Sequence, residues 1–260
     1  MTTAIDASRA LDHGQVPIRF ARGWHCLGLA DGFRDGKPHR IEAFEKKLVI
    51  WSDSQGHLNV LDGYCRHMGG DLTQGEVKGD NIACPFHDWR WGGDGRCKEI
   101  PYTRRVPMRA RTERFETAEV NGQLFIWHDP EGSAADLEIL PIQLPDLELY
   151  TDWSWHTKQI NGSHCRELID NVADMAHFYY VHFAFPTSFR NIFEGHTATQ
   201  YMSSTGRPDK AEGGYSGEGS TLRSVATYYG PSYMINWLTV DYKGFTTEVV
   251  LVNTHLPTGP

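Results

Sequence analysis

Two cysteines and two histidines carry the strongest chemical signal in the chain. Cys65, His67, Cys84 and His87 form C-x-H, then sixteen residues, then C-x-x-H. Such loops suit a tetrahedral zinc, or a two-iron, two-sulfur cluster whose thiolates hold one iron and whose imidazoles hold the other. Each loop here supplies one Cys and one His, so each can give one ligand to each iron, whereas zinc fingers usually pair like ligands within a loop. The spacing therefore favours the cluster. Neutral imidazole in place of two thiolates makes reduction easier, raising the potential to roughly -150 to +300 mV. Gly69, Gly70 and Pro85 beside the ligands let backbone amides approach the sulfurs.

A second set follows in an aromatic-rich run, where Asn171, Asp174, His177 and His182 form N-x-x-D-x-x-H-x-x-x-x-H. Two imidazoles plus one carboxylate make a facial triad that leaves positions on ferrous iron open to dioxygen. At about 100° per residue, His177 and His182 point about 140° apart on an ideal helix. The spacing thus predicts a helix that bends, widens or ends between them. Asp174 is placed to accept a hydrogen bond from an imidazole. The bland alternative is that both histidines are ordinary packed or surface residues; the cluster motif upstream weighs against it.

These residues need elements to hold them. Residues 48–51, 58–61, 105–111 and 124–127 are apolar or alternating segments between Gly, Asp and Asn turns, which predicts an all-β unit over residues 19–145 after an N-terminal arm, 1–18. The Pro-, Gly- and acid-containing stretch 130–145 predicts the boundary with a second unit, 146–260. There, residues 163–182 read as a helix with Ser163 as N-cap and Glu167 in its first turn. Residues 221–229, 233–242 and 245–253 read as antiparallel strands joined at Gly-Pro and Lys-Gly turns, and the Gly- and Ser-rich span 203–219 as a loop. The fold class is α+β.

Composition narrows the function. The chain has 260 residues, 40% hydrophobic and 22% charged, enough for two ordinary cores. The net charge of -8 argues against nucleic acid as the main partner. Five scattered cysteines, Cys26, Cys65, Cys84, Cys97 and Cys165, do not form a disulfide framework. With neither a signal-like start nor an apolar run of about 18 residues, the expectation is a cytoplasmic protein without membrane insertion. Arg90, Arg96, Lys98, Arg104, Arg105, Arg109, Arg111 and Arg114 form a local basic excess. It is either a solvated strand face or a dock for an acidic electron donor.

Residues 65–72 (CRHMGGDL), 84–91 (CPFHDWRW) and the continuation GGDGRCKEIP resemble the Rieske domain of the oxygenase component of 3-ketosteroid 9α-hydroxylase. Many Rieske oxygenases have Tyr and Gly where this chain has Phe86 and Asp88, which narrows the resemblance to the steroid branch. The second set matches the mononuclear iron motif of the same family. The resemblance implies an all-β Rieske domain and a helix-grip-like catalytic domain with an antiparallel sheet. It implies a 2Fe-2S cluster on Cys65, His67, Cys84 and His87, a mononuclear Fe(II) on His177 and His182, and an Asp174 bridge to a cluster His of a neighbouring subunit in a homotrimer. It also implies a flavin and iron-sulfur reductase drawing on NADH, and hydroxylation of a 3-ketosteroid at C9 with dioxygen. The family takes its iron carboxylate from a later helix, and Asp209 and Asp241 are the only aspartates after His182. The expectation is therefore a C-terminally shortened chain, with an electron-carrying module as the alternative function. The aromatic stretch 178–237 is expected to line an apolar cavity, with Tyr233, Asn236 and Trp237 touching substrate.

Overall fold

A computed structural model describes residues 19–142, 152–207 and 219–259. The N-terminal arm, part of the expected boundary and Asp209 lie outside these residues. The first unit is built on strand β3 (Lys46–Ser52), whose run Leu48, Val49, Ile50 and Trp51 is buried throughout. A strand apolar on both faces must be covered on both. Leu48 and Ile50 face a core made with Leu58, Val60, Leu124 and Ile126; Val49 and Trp51 face another made with Leu61, Leu72, Ile82 and Trp91.

Around β3 lie three antiparallel sheets. β1 (Gly23–Leu29) pairs with β10 (Gln123–His128), which pairs with β9 (Thr117–Val120). β2 (His39–Ala43), β3 and β4 (Leu58–Asp62) form the second. The third is β5 (Glu76–Lys78), β6 (Asn81–Ala83), β7 (Arg90–Trp91) and β8 (Cys97–Glu99); one cysteine and histidine loop leads into it from β4 and the other joins β6 to β7.

The expected strand at 105–111 is instead a loop. Pro107 has no N–H for a ladder, and its carbonyl accepts from the Ala110 amide (2.9 Å), closing a turn.

The second unit begins with α1 (Cys165–Ala173) and α2 (Met175–Tyr180), followed by a meander of β11 (Ala184–Glu194), β12 (Thr197–Gly206), β13 (Ser220–Tyr229), β14 (Tyr233–Tyr242) and β15 (Phe245–Thr254). On β13 every second residue from Ser220 to Tyr228 is buried, the period-2 signature of a sheet with one covered face. The helices cover that face: Gln200 donates to the Val172 carbonyl, and Phe178 packs on Met202, Leu222 and Leu238. Residues 203–206, expected as loop, belong to β12. The opposite face meets the first unit through Tyr233, Tyr229, Ile235 and Val252 against Trp24, Phe125 and Trp127. Among the described residues no helix is long and apolar enough to cross a membrane.

Candidate metal centres

The loops after β4 and β6 close identically. In the first, Gly69 N–H donates to Cys65 O (2.8 Å) and Cys65 N–H to Gly70 O (2.8 Å). In the second, Asp88 N–H donates to Cys84 O (3.0 Å) and Cys84 N–H to Trp89 O (2.9 Å). Both need a left-handed residue four positions after the cysteine, Gly69 at φ 74° and Asp88 at φ 54°. Asp tolerates that region better than most side chains. Its carboxylate is also held by Lys78 (2.9 Å) and Arg90 (3.1 Å), which lower its pKa against the opposing effect of burial. This accounts for Asp88 standing where many Rieske oxygenases carry Gly.

The loops place unlike ligands at unlike depths. Cys65 and Cys84, 2% and 4% exposed, join the core with Trp51 and Trp91. His67 is half-buried and His87 exposed, with ring centroids 5.0 Å apart. Burial, then the neighbouring Cys65, pushes the Cys84 thiol above its ordinary value, so a nearby cation is needed to hold the thiolate. A Cβ on Gly70 would fall 2.7 Å from Cys84 Sγ, so the glycine keeps open the space in which a cluster would sit. A thiolate pair within and an imidazole pair without fit a cluster better than a single ion. Among the described residues, no three His, Cys, Asp or Glu converge on one point. Trp89 stacks on His67 at 4.3 Å and 8°, and its Nε1–H donates to the Tyr102 hydroxyl (2.6 Å). Neither residue was singled out from the sequence, although Trp89 lies two residues after His87.

The second set sits where one helix becomes two. The cap of α1 is His164 rather than Ser163: its Nδ1 accepts from Arg166 N–H (3.1 Å), while Glu167 reaches back to the His164 amide. Asp174 ends α1 and starts α2, its Oδ1 accepting from His177 N–H (3.1 Å). It is exposed, whereas Asn171, in the last turn of α1, is half-buried. After Tyr180 the chain leaves the helix and turns through a left-handed Phe183 at φ 54°. The break expected between the histidines brings His177 Nε2 and His182 Nε2 to 3.0 Å. Burial first, and His177 second, lower the His182 pKa, favouring the neutral imidazole a metal requires.

Of the expected substrate residues, Asn236 lies on the helix-covered face, where its Oδ1 accepts from Ser224 Oγ (2.9 Å). Tyr233 and Trp237 alternate to the other face, because side chains on a strand project to opposite sides. Tyr233 is 1% exposed and bound to the first unit, donating to Gln123 Oε1 (2.8 Å) and accepting from Asn121 Nδ2 (3.1 Å). This placement puts both on the face away from the helices. On the helix-covered face, Asn191 Oδ1 and Ser204 Oγ are buried without a hydrogen-bond partner among the described residues, polar groups the sequence did not single out.

Comparison with known proteins matches residues 23–132 to the Rieske [2Fe-2S] domain and residues 126–260 to the 3-ketosteroid 9alpha-hydroxylase C-terminal domain. A 3-ketosteroid-9-alpha-monooxygenase oxygenase component from Rhodococcus rhodochrous is 59% identical over 96% of this chain and 66% of its own length. The Mycobacterium tuberculosis relative of the same name is 55% identical over 96% of this chain and 65% of its own length. The chain therefore spans about two thirds of these relatives. The crystal structure of dicamba monooxygenase bound to dicamba shares the fold, with a TM-score of 0.66 at 18% identity over 92% of this chain and 74% of that one. With both of its units matched and more than half of its residues identical to these relatives, the chain belongs to the 3-ketosteroid 9α-hydroxylase family of Rieske oxygenases.

Proposed function

We propose that this chain is the oxygenase component of a 3-ketosteroid 9α-monooxygenase, with residues 19–145 as the cluster unit and 146–260 as the iron unit. The observation that carries the reading is the pairing of two sites: a thiolate pair set inside an imidazole pair, and a second pair of imidazoles 3.0 Å apart at a helix break. When bound, the cluster supplies single electrons, and the mononuclear iron supplies dioxygen activation that puts one oxygen atom into a C–H bond and releases the other as water.

The chain's own residues supply position and surroundings. Cys65 and Cys84, both buried, would hold one iron of the cluster, and His67 and His87, nearer the surface, would hold the other. His177 and His182 would hold the mononuclear iron, and Asp174, exposed at the helix junction, would bridge to a cluster histidine of a neighbouring subunit in a homotrimer. Asn171, in the last turn of α1, belongs to the same iron-side group. Asn236 offers a polar contact to a 3-keto oxygen on the helix-covered face, where Met202, Leu222 and Leu238 supply the apolar surroundings. A flavin and iron-sulfur reductase using NADH is the electron source, in the cytoplasm.

The test is anaerobic purification with measurement of iron and acid-labile sulfide, an electron paramagnetic resonance spectrum of the reduced protein, and assay of 9α-hydroxylation with a reductase. The expected result is a histidine-ligated cluster signal, iron in excess of sulfide, and hydroxylated steroid. Iron equal to sulfide with no turnover would support an electron-carrying module instead, and zinc without sulfide a structural interaction domain.

A further inference from the structure

Unpaired positive charge in the cluster unit gathers on one loop. From residue 100 to 112 there are four arginines and no acid, and Arg114 follows. The fold divides the basic residues of this region into two groups. Arg90 is taken up by Asp88 and Glu99, and Arg96 and Lys98 by Asp94. Arg104, Arg105, Arg109, Arg111 and Arg114 are exposed and make no ion pair among the described residues. In a chain of net charge -8, a repulsive group of this kind invites an anionic partner.

The loop is fastened to the cluster site. Ile100 is buried in the core that holds Cys65 and Cys84, and Val106 and Ala110 pack against the same core. Tyr102 accepts the Trp89 Nε1–H, and Trp89 lies flat on His67. Tyr102 and Met108, 63% and 94% exposed, set apolar surface among the charges, the mixture that suits a protein rather than a polyanion.

We propose that residues 102–114 form the landing surface for an acidic protein domain carrying a one-electron centre, with Tyr102 and Trp89 as the contact between that domain and His67. The inference rests on the function proposed above and specifies where its electrons arrive. In the step, the reduced donor loses one electron and the cluster gains it; no bond forms or breaks.

The test uses the cluster-loaded protein and a plant-type [2Fe-2S] ferredoxin as acidic probe. Binding is measured by calorimetry at low and high salt, and cluster reduction by stopped-flow absorbance, with dithionite as a small-molecule control. The triple variant Arg104→Glu, Arg105→Glu, Arg109→Glu is expected to weaken binding and slow reduction by ferredoxin at low salt by about tenfold or more, while dithionite reduction stays unchanged. The triple Gln variant keeps the loop uncharged and should show a smaller loss in the same direction. Affinity and rate within twofold of the parent in both variants would overturn the proposal. So would a change of oligomeric state in the variants, which would make the loop an interface between copies of this chain. Failure of the unmodified protein to bind a cluster would instead overturn the parent reading, and is visible before any variant is made.

Discussion

At the scale of single residues, the cluster loops depend on atoms that are missing as much as on the ligands. Gly70 has no room for a methyl group, since its Cβ would stand 2.7 Å from Cys84 Sγ. Gly70→Ala is therefore expected to lower acid-labile sulfide per chain severalfold while far-ultraviolet circular dichroism stays unchanged. His25 makes a different prediction. It is 1% exposed on β1, with Nε2 against the Ala21 carbonyl (3.0 Å) and Nδ1 buried without a hydrogen-bond partner. Burial is the main cause of a pKa pushed down to about 4. Between that value and the ordinary 6.5 the unfolded chain binds a proton the folded one refuses. The stability is thus fully present above about pH 6.5 and falls with pH by about 1.4 kcal/mol per unit down to pH 4. Urea unfolding at pH 7.5 and pH 5 should show the parent losing about 2 kcal/mol more than His25→Gln. The candidate ligand pairs were legible because Cys and His at close spacing have few other uses. The left-handed turn at Asp88 was not, because only the repeated closure of the two loops reveals that a glycine-like position is needed there.

At the scale of elements, the strand reading succeeded where each strand stands between clear turns. β13, β14 and β15 are joined at Gly230-Pro231 and Lys243-Gly244, and all three lie within a residue of the bounds expected. β11 escaped notice because it contains Pro186, which sits beside a register shift between Pro186 and Ser188, where the ladder tolerates a missing donor. The single helix expected over 163–182 became two because Asp174 caps both, ending α1 and accepting the His177 amide. The same aspartate has a proposed electrical role, and the two can be separated. Asp174→Asn keeps a capping oxygen, so helix content and iron at His177 and His182 should persist. Electron transfer between the sites, followed by single-turnover kinetics, is expected to fall at least about tenfold if the charge matters. An equal loss of iron and turnover would leave only the cap.

At the scale of the whole molecule, two units share an interface that sequence patterning could not locate. Tyr233 looked like a pocket residue because it lies in an aromatic stretch, and only the register of β14 turns it toward Gln123 and Asn121 of the first unit. Tyr233→Phe leaves the buried Gln123 carbonyl oxygen short of a donor and takes one acceptor from the half-buried Asn121, and is expected to cost about 1–3 kcal/mol in urea unfolding. Activity should follow stability and not change on its own, since the ring lies away from the helix-covered face.

The same interface orders events in time. Ser232 Oγ donates to the Trp24 carbonyl across 208 residues of chain, whereas every strand of the β11–β15 sheet pairs with its sequence neighbour. During synthesis at about 5–20 residues per second, Trp24, Phe125 and Trp127 belong to a first unit that can fold before β14 exists. Their apolar face then waits for its cover, so the nascent chain passes through an interval in which it is most open to aggregation and most in need of a chaperone.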